Sequence, residues 1–372
     1  MVFLTKSLFL ASTLLAAEKP SIPVHPAGET MNAVCFTDYG SDSDALSLQT
    51  IPKPFLEEPQ ELLIKVHACA LNPIDKLRAS GILAELLPES HSTSVLGYDV
   101  SGVIEEVGDE ASSSFSIGDE VYVRLAGMKY GAMAEYVVCS IPEVAKKPSN
   151  LSFSEAATIP LAGLTALQSL RLGGVKEGSK VFIPGGAGGV GSLAIQIAKK
   201  MLKASHVCTT ASTGVGTEIC EKAGADRIID YRSEKFEEVL AGEDFDVAFD
   251  TTSEAKKMGS LLKKAGKIIC ISGPPTIEAI EAKMKPPLAV RFFMFLLRNR
   301  KAIKAATQAG GSWEYIFMSP NGKDLTELAT SIENGDIVPI IDTEVASLDD
   351  FKVAVDKLWS GRAKGKCVIK VV

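Results

Sequence analysis

Three glycines, Gly186, Gly188 and Gly191, keep the spacing G-x-G-x-x-G inside VFIPGGAGGVGSLAIQIAKK, residues 181–200. Glycines so placed suit a diphosphate: one allows a tight turn, one lets backbone approach the phosphates, one lets the helix pack on its strand. Val181, Phe182 and Ile183 read as a buried strand, and Leu193, Ile195, Ile197 and Ala198 follow helical spacing after it. That strand–loop–helix context is what the motif requires. The loop Gly186, Ala187, Gly188, Gly189, Val190 and Gly191 would then hold phosphate against unpaired N–H groups at the positive end of the helix. A second position decides which dinucleotide. An acid that reads the ribose 2′-hydroxyl of NAD belongs about 20 residues beyond the glycines. Here Ala211, Ser212 and Thr213 fall there, and no acid occurs until Glu218. Nothing repels a 2′-phosphate, and two hydroxyls can donate to it, so NADPH is the expected coenzyme.

Other residue types point away from metal and covalent chemistry. The four histidines, His25, His67, His91 and His206, are isolated, and the seven cysteines never pair as C-x-x-C. Most cysteines sit in apolar runs such as KIICIS, which suits core packing better than disulfides or ligation. No metal site is expected, and no Ser-His-Asp or Cys-His arrangement suggests a covalent route.

The elements that must position these residues follow from length and texture. A chain of 372 residues suggests two domains, and 46% hydrophobic residues suffice for packed cores. A net charge of −7 argues against nucleic acid as a partner. Residues 31–150 read as short strands between turns, a β-rich domain. Residues 151–337 alternate helical and strand patterns, the signature of a parallel sheet covered on both faces. Within them, SEAATIPLAGLTALQSLRL reads as helix, and HVCTTAS, RIIDY, FDVAFDT and KIICISG as strands. Residues 338–372 add the strand IVPIID just at their start, the helix LDDFKVAVDKLWSG and the closing strand KCVIKVV. Residues 285–306 interleave apolar side chains with Arg291, Arg298, Arg300, Lys301 and Lys304. That pattern fits either a helix lining the cleft or subunit contact, or a peripheral membrane contact. Residues 1–30 differ from the rest. Met1–Ala17 has one Lys, no acid and an apolar centre, as in a leader for an organelle (a plastid among them) or for the secretory pathway. An extended linker follows it. Without a working leader the chain would be cytoplasmic.

The motifs LNPIDKLRASG, LGYDVSGVIEEVG, FSIGDEVYV, AATIPLAGLTALQSL, VFIPGGAGGVG, GADRIIDYR, GDIVPIID and GRAKGKCVIK occur in that order. Together they resemble the medium-chain dehydrogenase/reductase superfamily, nearest its zinc-independent, NADPH-dependent quinone oxidoreductase and enone reductase branch, the relatives of zeta-crystallin. The resemblance spans residues 31–372. It implies a GroES-like β-rich domain, 31–150 with 338–372, and a Rossmann-type doubly wound domain, 151–337. It also implies homodimers joined edge to edge through the nucleotide-domain sheets. Zinc-dependent relatives carry His-Glu where this chain has Tyr98-Asp99, so the ligand is missing.

The resemblance assigns roles residue by residue. Asn72 would stand beside the nicotinamide as the catalytic side chain, although Asn-Pro is also a plain turn former. Thr165 would meet the carboxamide or a phosphate, Tyr231 and Arg232 the 2′-phosphate, and Lys366 the coenzyme more generally. Apart from the resemblance, Phe317 and Met318 in YIFMSP read equally as walls of an apolar acceptor pocket or as core side chains. Tyr98 and Asp99 would hold the β domain together. The activity implied is hydride transfer to a quinone or an α,β-unsaturated carbonyl without metal. Two rivals remain on sequence alone: an enoyl-thioester reductase and a non-catalytic NADPH-binding protein.

Overall fold

The computed structural model describes residues 19–84, 88–127, 130–273, 275–281 and 300–372. The proposed leader, and most of the 285–306 stretch weighed as a membrane contact, lie outside the described residues. Among those described, no helix is long and apolar enough to cross a membrane. The chain after the linker opens with β1 (Thr30–Phe36), β2 (Ser47–Pro52), β3 (Glu61–Ala70), helix α1 (Pro73–Ala79), β4 (Ser94–Val95) and β5 (Asp99–Val107). β6 (Glu120–Arg124), β7 (Tyr136–Ser140) and β8 (Val144–Lys146) complete the first run. β1 pairs with β2 and β4 in a small sheet. Along β3 the pattern ELLIKVHACA is buried almost throughout, because it is the central strand: β5 and β7 flank one stretch of it, and a late strand covers its end.

Helix α2 (Pro160–Gly173) then leads into the alternating part of the chain. β9 (Lys180–Ile183), α3 (Gly189–Gln196), β10 (His206–Ala211), α4 (Val215–Ala223), β11 (Arg227–Asp230), β12 (Phe245–Asp250), β13 (Leu262–Cys270) and β14 (Ser312–Tyr315) follow. Their sheet is parallel, in the order β11-β10-β9-β12-β13-β14. Strand order therefore reverses beside β9, and such switch points leave a crevice at the strand C-terminal ends. The expected mixed α/β architecture is what the chain forms: a β-rich GroES-like part and a doubly wound, Rossmann-type sheet.

Three details depart from the sequence pattern. The helical reading of SEAATIPLAGLTALQSLRL breaks into Phe153–Ala157 and α2, because Pro160 has no N–H to carry the hydrogen-bond ladder on and instead takes the first position of a new helix. The closing helix of the motif, α3, ends at Gln196 and continues as one π-type turn over Ile197–Met201. The strand expected at IVPIID forms later, as β15 (Ile341–Val345), after helix α5 (Gly322–Glu333). Helix α6 (Phe351–Trp359) and β16 (Lys366–Lys370) end the chain. β16 lies between β15 and β3, which returns the C-terminus to the β-rich sheet. All seven cysteines are buried and unpaired. Burial pushes the Cys35, Cys208 and Cys220 thiols up to about 12 and that of Cys367 to about 11.

Candidate active site

The glycine loop links β9 to α3 and is tethered to the neighbouring strand. Gly185 N–H donates to Thr210 Oγ1 and Gly186 N–H to Thr210 O, each at 3.0 Å. A Cβ on Gly186 would come within 2.2 Å of Thr209 Oγ1, and one on Gly191 within 2.2 Å of Gly185 O. At these two positions the close approach leaves room for glycine alone. Gly188 differs: the nearest atom a Cβ there would meet is Gly185 O, at an ordinary contact distance of 3.4 Å, so space remains beside it. Around that space the first-turn N–H groups of α3 have no partner within the helix. The loop therefore fits a diphosphate, with Ala187, Gly189 and Val190 on its half-exposed rim. The turn itself needs Gly185, at φ +70°, which the motif spacing did not single out.

Beyond β10, Ser212 is buried and Thr213 exposed. β11 pairs in register with β10, Asp230 opposite Ala211, so Tyr231 and Arg232 leave the sheet at the same edge as Ser212. Both are exposed, and Arg232 is fixed at its backbone by Asp230 Oδ1 at 3.0 Å. No carboxylate from 211–213 stands among them.

Asn72 caps α1 just past the end of β3 and is 2% exposed. Its side-chain nitrogen donates to Asp99 Oδ2 at 2.9 Å, and its Oδ1 accepts from Lys366 Nζ at 2.5 Å. Lys366 Nζ also donates to Asp99 Oδ2 at 3.0 Å, and Asp99 Oδ1 accepts from Leu161 N–H at 2.8 Å. Asp99 is fully buried. One carboxylate thus joins the start of β5, the turn before α1, the first residue of β16 and the first turn of α2. Asp99, expected only to steady the β-rich part, is a hub that ties the β-rich sheet to helix α2, and sequence reasoning missed this. Lys366 reaches the hub because Gly365, at φ +107°, lets its backbone pass Ile340 O, where a Cβ would stand at 2.5 Å. The lysine stem crosses to the glycine loop: a Cβ on Gly189 would lie 2.9 Å from Lys366 Cδ.

Asp75 lies beneath this cluster, fully buried, with Oδ2 accepting from Asn72 N–H at 2.7 Å and Oδ1 unpartnered. Burial raises its carboxyl to about 7 against the pull of that N–H and of Arg78. Arg78 forms a buried two-pronged pair with Glu89, at 2.8 and 2.6 Å. The Arg78 and Arg124 guanidinium carbons stand 5.6 and 4.7 Å from the centre of the Tyr98 ring. Tyr98, where zinc-dependent relatives carry histidine, is thus packed between two cations, and no group of three His, Cys, Asp or Glu among the described residues could hold a metal ion.

The remaining expected residues sit less directly. Thr165 is buried in α2, with its hydroxyl proton donated to Leu161 O at 2.7 Å, one helical turn back. Phe317 and Met318 follow β14, which the sequence reading left without a strand. Phe317 is part-exposed with its ring 5.1 Å from that of Tyr315, and Met318 packs on the core of the parallel sheet. A recess of about 380 Å³ beside the ends of β12 and β13 is lined by Asp250, Ser253, Cys270 and Ser272 rather than by Asn72 or Lys366.

Known proteins resemble this chain in sequence and fold. A family model described as alcohol dehydrogenase GroES-like domain matches residues 58–149, and one described as zinc-binding dehydrogenase matches residues 223–369. The chain is 36% identical over 367 residues to 2-methylene-furan-3-one reductase of Solanum lycopersicum, covering 96% of this chain and 84% of that protein. It is 35% identical over 347 residues to the chloroplastic NADPH-dependent alkenal/one oxidoreductase of Arabidopsis thaliana, covering 91% and 79%. The solved quinone oxidoreductase of Coxiella burnetii superposes with a TM-score of 0.76 at 31% identity, over 92% of this chain and all of that one.

Proposed function

Because the chain belongs to the medium-chain dehydrogenase/reductase superfamily, in its zinc-independent quinone and enone reductase branch, we propose that it is an NADPH-dependent reductase of quinones or α,β-unsaturated carbonyls. One observation carries the reading: the phosphate-facing glycine loop meets the Lys366–Asn72–Asp99 cluster along the stem of Lys366. When bound, NADPH supplies a hydride. The residues of this chain do the rest. Backbone N–H groups at the start of α3 hold the diphosphate. Ser212, Thr213, Tyr231 and Arg232 offer donors to a 2′-phosphate, and the end of β10 carries no acid at 211–213 to repel it. Asn72 and Asp99 hold the Lys366 ammonium in a buried setting, where its charge stabilises a developing negative charge more than in water. The acceptor classes come from the relatives' names: an enone in tomato, alkenals and enones in Arabidopsis, a quinone in Coxiella.

The test is direct. NADPH absorbance is followed in stopped flow against a panel of quinones and a panel of alkenals, and both coenzymes are titrated by fluorescence. The expected result is tight NADPH binding, weaker NADH binding and consumption of NADPH with members of one panel. Binding without turnover on any acceptor would refute the enzyme reading. On the same reading residues 1–17 are an organelle leader, as the chloroplastic relative suggests; a processed N-terminus downstream of Ala17 would support it, and an intact Met1 in organelle extracts would not.

A further inference from the structure

The Lys366 ammonium has three N–H donors. Two are engaged, by Asn72 Oδ1 at 2.5 Å and Asp99 Oδ2 at 3.0 Å, and no third bond forms among the described residues. At 5% exposure the side chain is nearly closed to bulk water. An unfilled donor on a buried charge is costly unless something arrives to take it. The stem of the lysine lies on Gly189, so its charged end stands at the seam between the phosphate-facing helix and Asn72. Gripping a phosphate would call for uncompensated positive charge, whereas this ammonium already faces the fully buried Asp99. The diphosphate is served by the first-turn N–H groups of α3. An ammonium balanced in this way suits an oxygen that arrives neutral and turns negative during the reaction.

Resting on the reductase reading above, we propose that Lys366 is the proton donor to the acceptor's oxygen, with Asp99 and Asn72 as the positioning residues that hold its ammonium. For an enone, a C–H bond forms at the β-carbon with the hydride given up by NADPH, and the π pair moves onto the carbonyl oxygen. The N–H bond of Lys366 breaks and an O–H bond forms, giving an enol. The acceptor gains two electrons, NADPH is oxidised to NADP⁺, and the enol tautomerises in water after release. The amine, still hydrogen-bonded to Asp99, regains its proton from solvent. A quinone follows the same balance and leaves as the hydroquinone.

Lys366→Arg separates this role from a grip on the coenzyme, because arginine keeps the charge but does not release a proton. The NADPH dissociation constant is read from coenzyme fluorescence with no acceptor present, and the hydride-transfer rate from single turnovers at saturating NADPH. We expect the constant to stay within about threefold and the rate to fall about a hundredfold, the usual contribution of a placed general acid. Lys366→Met should repeat this; if circular dichroism shows that it fails to fold, the arginine variant decides alone. Asp99→Asn keeps an acceptor for the Leu161 N–H and should also lower the rate at unchanged NADPH affinity. A wild-type rate in Lys366→Arg, or a tenfold or larger rise in its NADPH constant with the saturated rate retained, would overturn the proposal. Absence of turnover in the unmodified protein would remove the reductase reading itself, and this proposal with it.

Discussion

Asp75 and Arg232 make opposite use of charge. Arg232 is exposed at the end of β11 and free to meet a ligand. A charge-assisted hydrogen bond contributes roughly 1.5–3 kcal/mol. Arg232→Ala should therefore raise the NADPH dissociation constant by about one to two decades and leave that of NADH nearly unchanged. Fluorescence titration of both coenzymes checks this, and an equal loss for the two would contradict the assignment. Asp75 is enclosed, and burial raises its folded-state value to about 7, against about 3.9 in an unfolded chain. Between those values the folded protein holds a proton that the unfolded chain has lost, so stability falls as pH rises through that window. Asp75→Asn keeps an acceptor for the Asn72 N–H and removes the titration. The wild type should lose stability relative to the variant from pH 4 to pH 7, by up to roughly 4 kcal/mol. Parallel pH profiles of thermal unfolding would show that the carboxyl is not raised.

At the scale of elements, the glycine loop separates folding from binding. Gly188→Ala places its methyl 3.4 Å from the nearest atom, in the space left for phosphate, while Gly191→Ala forces its methyl to 2.2 Å from Gly185 O. The first change should leave the melting temperature within about 2 °C and weaken NADPH binding at least about tenfold. The second should lower both. If Gly188→Ala binds NADPH normally, the phosphates lie elsewhere. This loop was legible in the sequence because its signals are local: a strand, spaced glycines and a helix lie within twenty residues. Asp99 was not legible as a hub, since its partners Asn72, Leu161 and Lys366 lie 27, 62 and 267 residues away. β14 was missed for a similar reason. The segment SWEY alternates polar and aromatic residues, but over four positions only, too short a run to stand out before it pairs with β13. Lys366 was found through its motif, but its ties to Asn72 and Asp99 exist only once β16 has crossed back to β3.

At the scale of the whole molecule, β14 is one of the two outer strands of the parallel sheet among the described residues, β11 being the other. An outer strand offers unpaired backbone groups to another chain, and we propose that two copies join along β14. Sedimentation at micromolar concentration should give twice the chain mass, and a monomer there would argue against this face. The seven enclosed cysteines bear on survival in use. Unsaturated aldehydes and quinones are soft electrophiles that alkylate thiolates, and the thiolate is the reactive form. Here the sulfurs are out of reach and, with their acidities suppressed, stay protonated at neutral pH. A catalyst built this way should outlast its own toxic cargo: mass spectra taken after incubation with an alkenal should show glutathione modified and the folded protein's cysteines untouched. Adducts on the native chain would mean that the armour leaks.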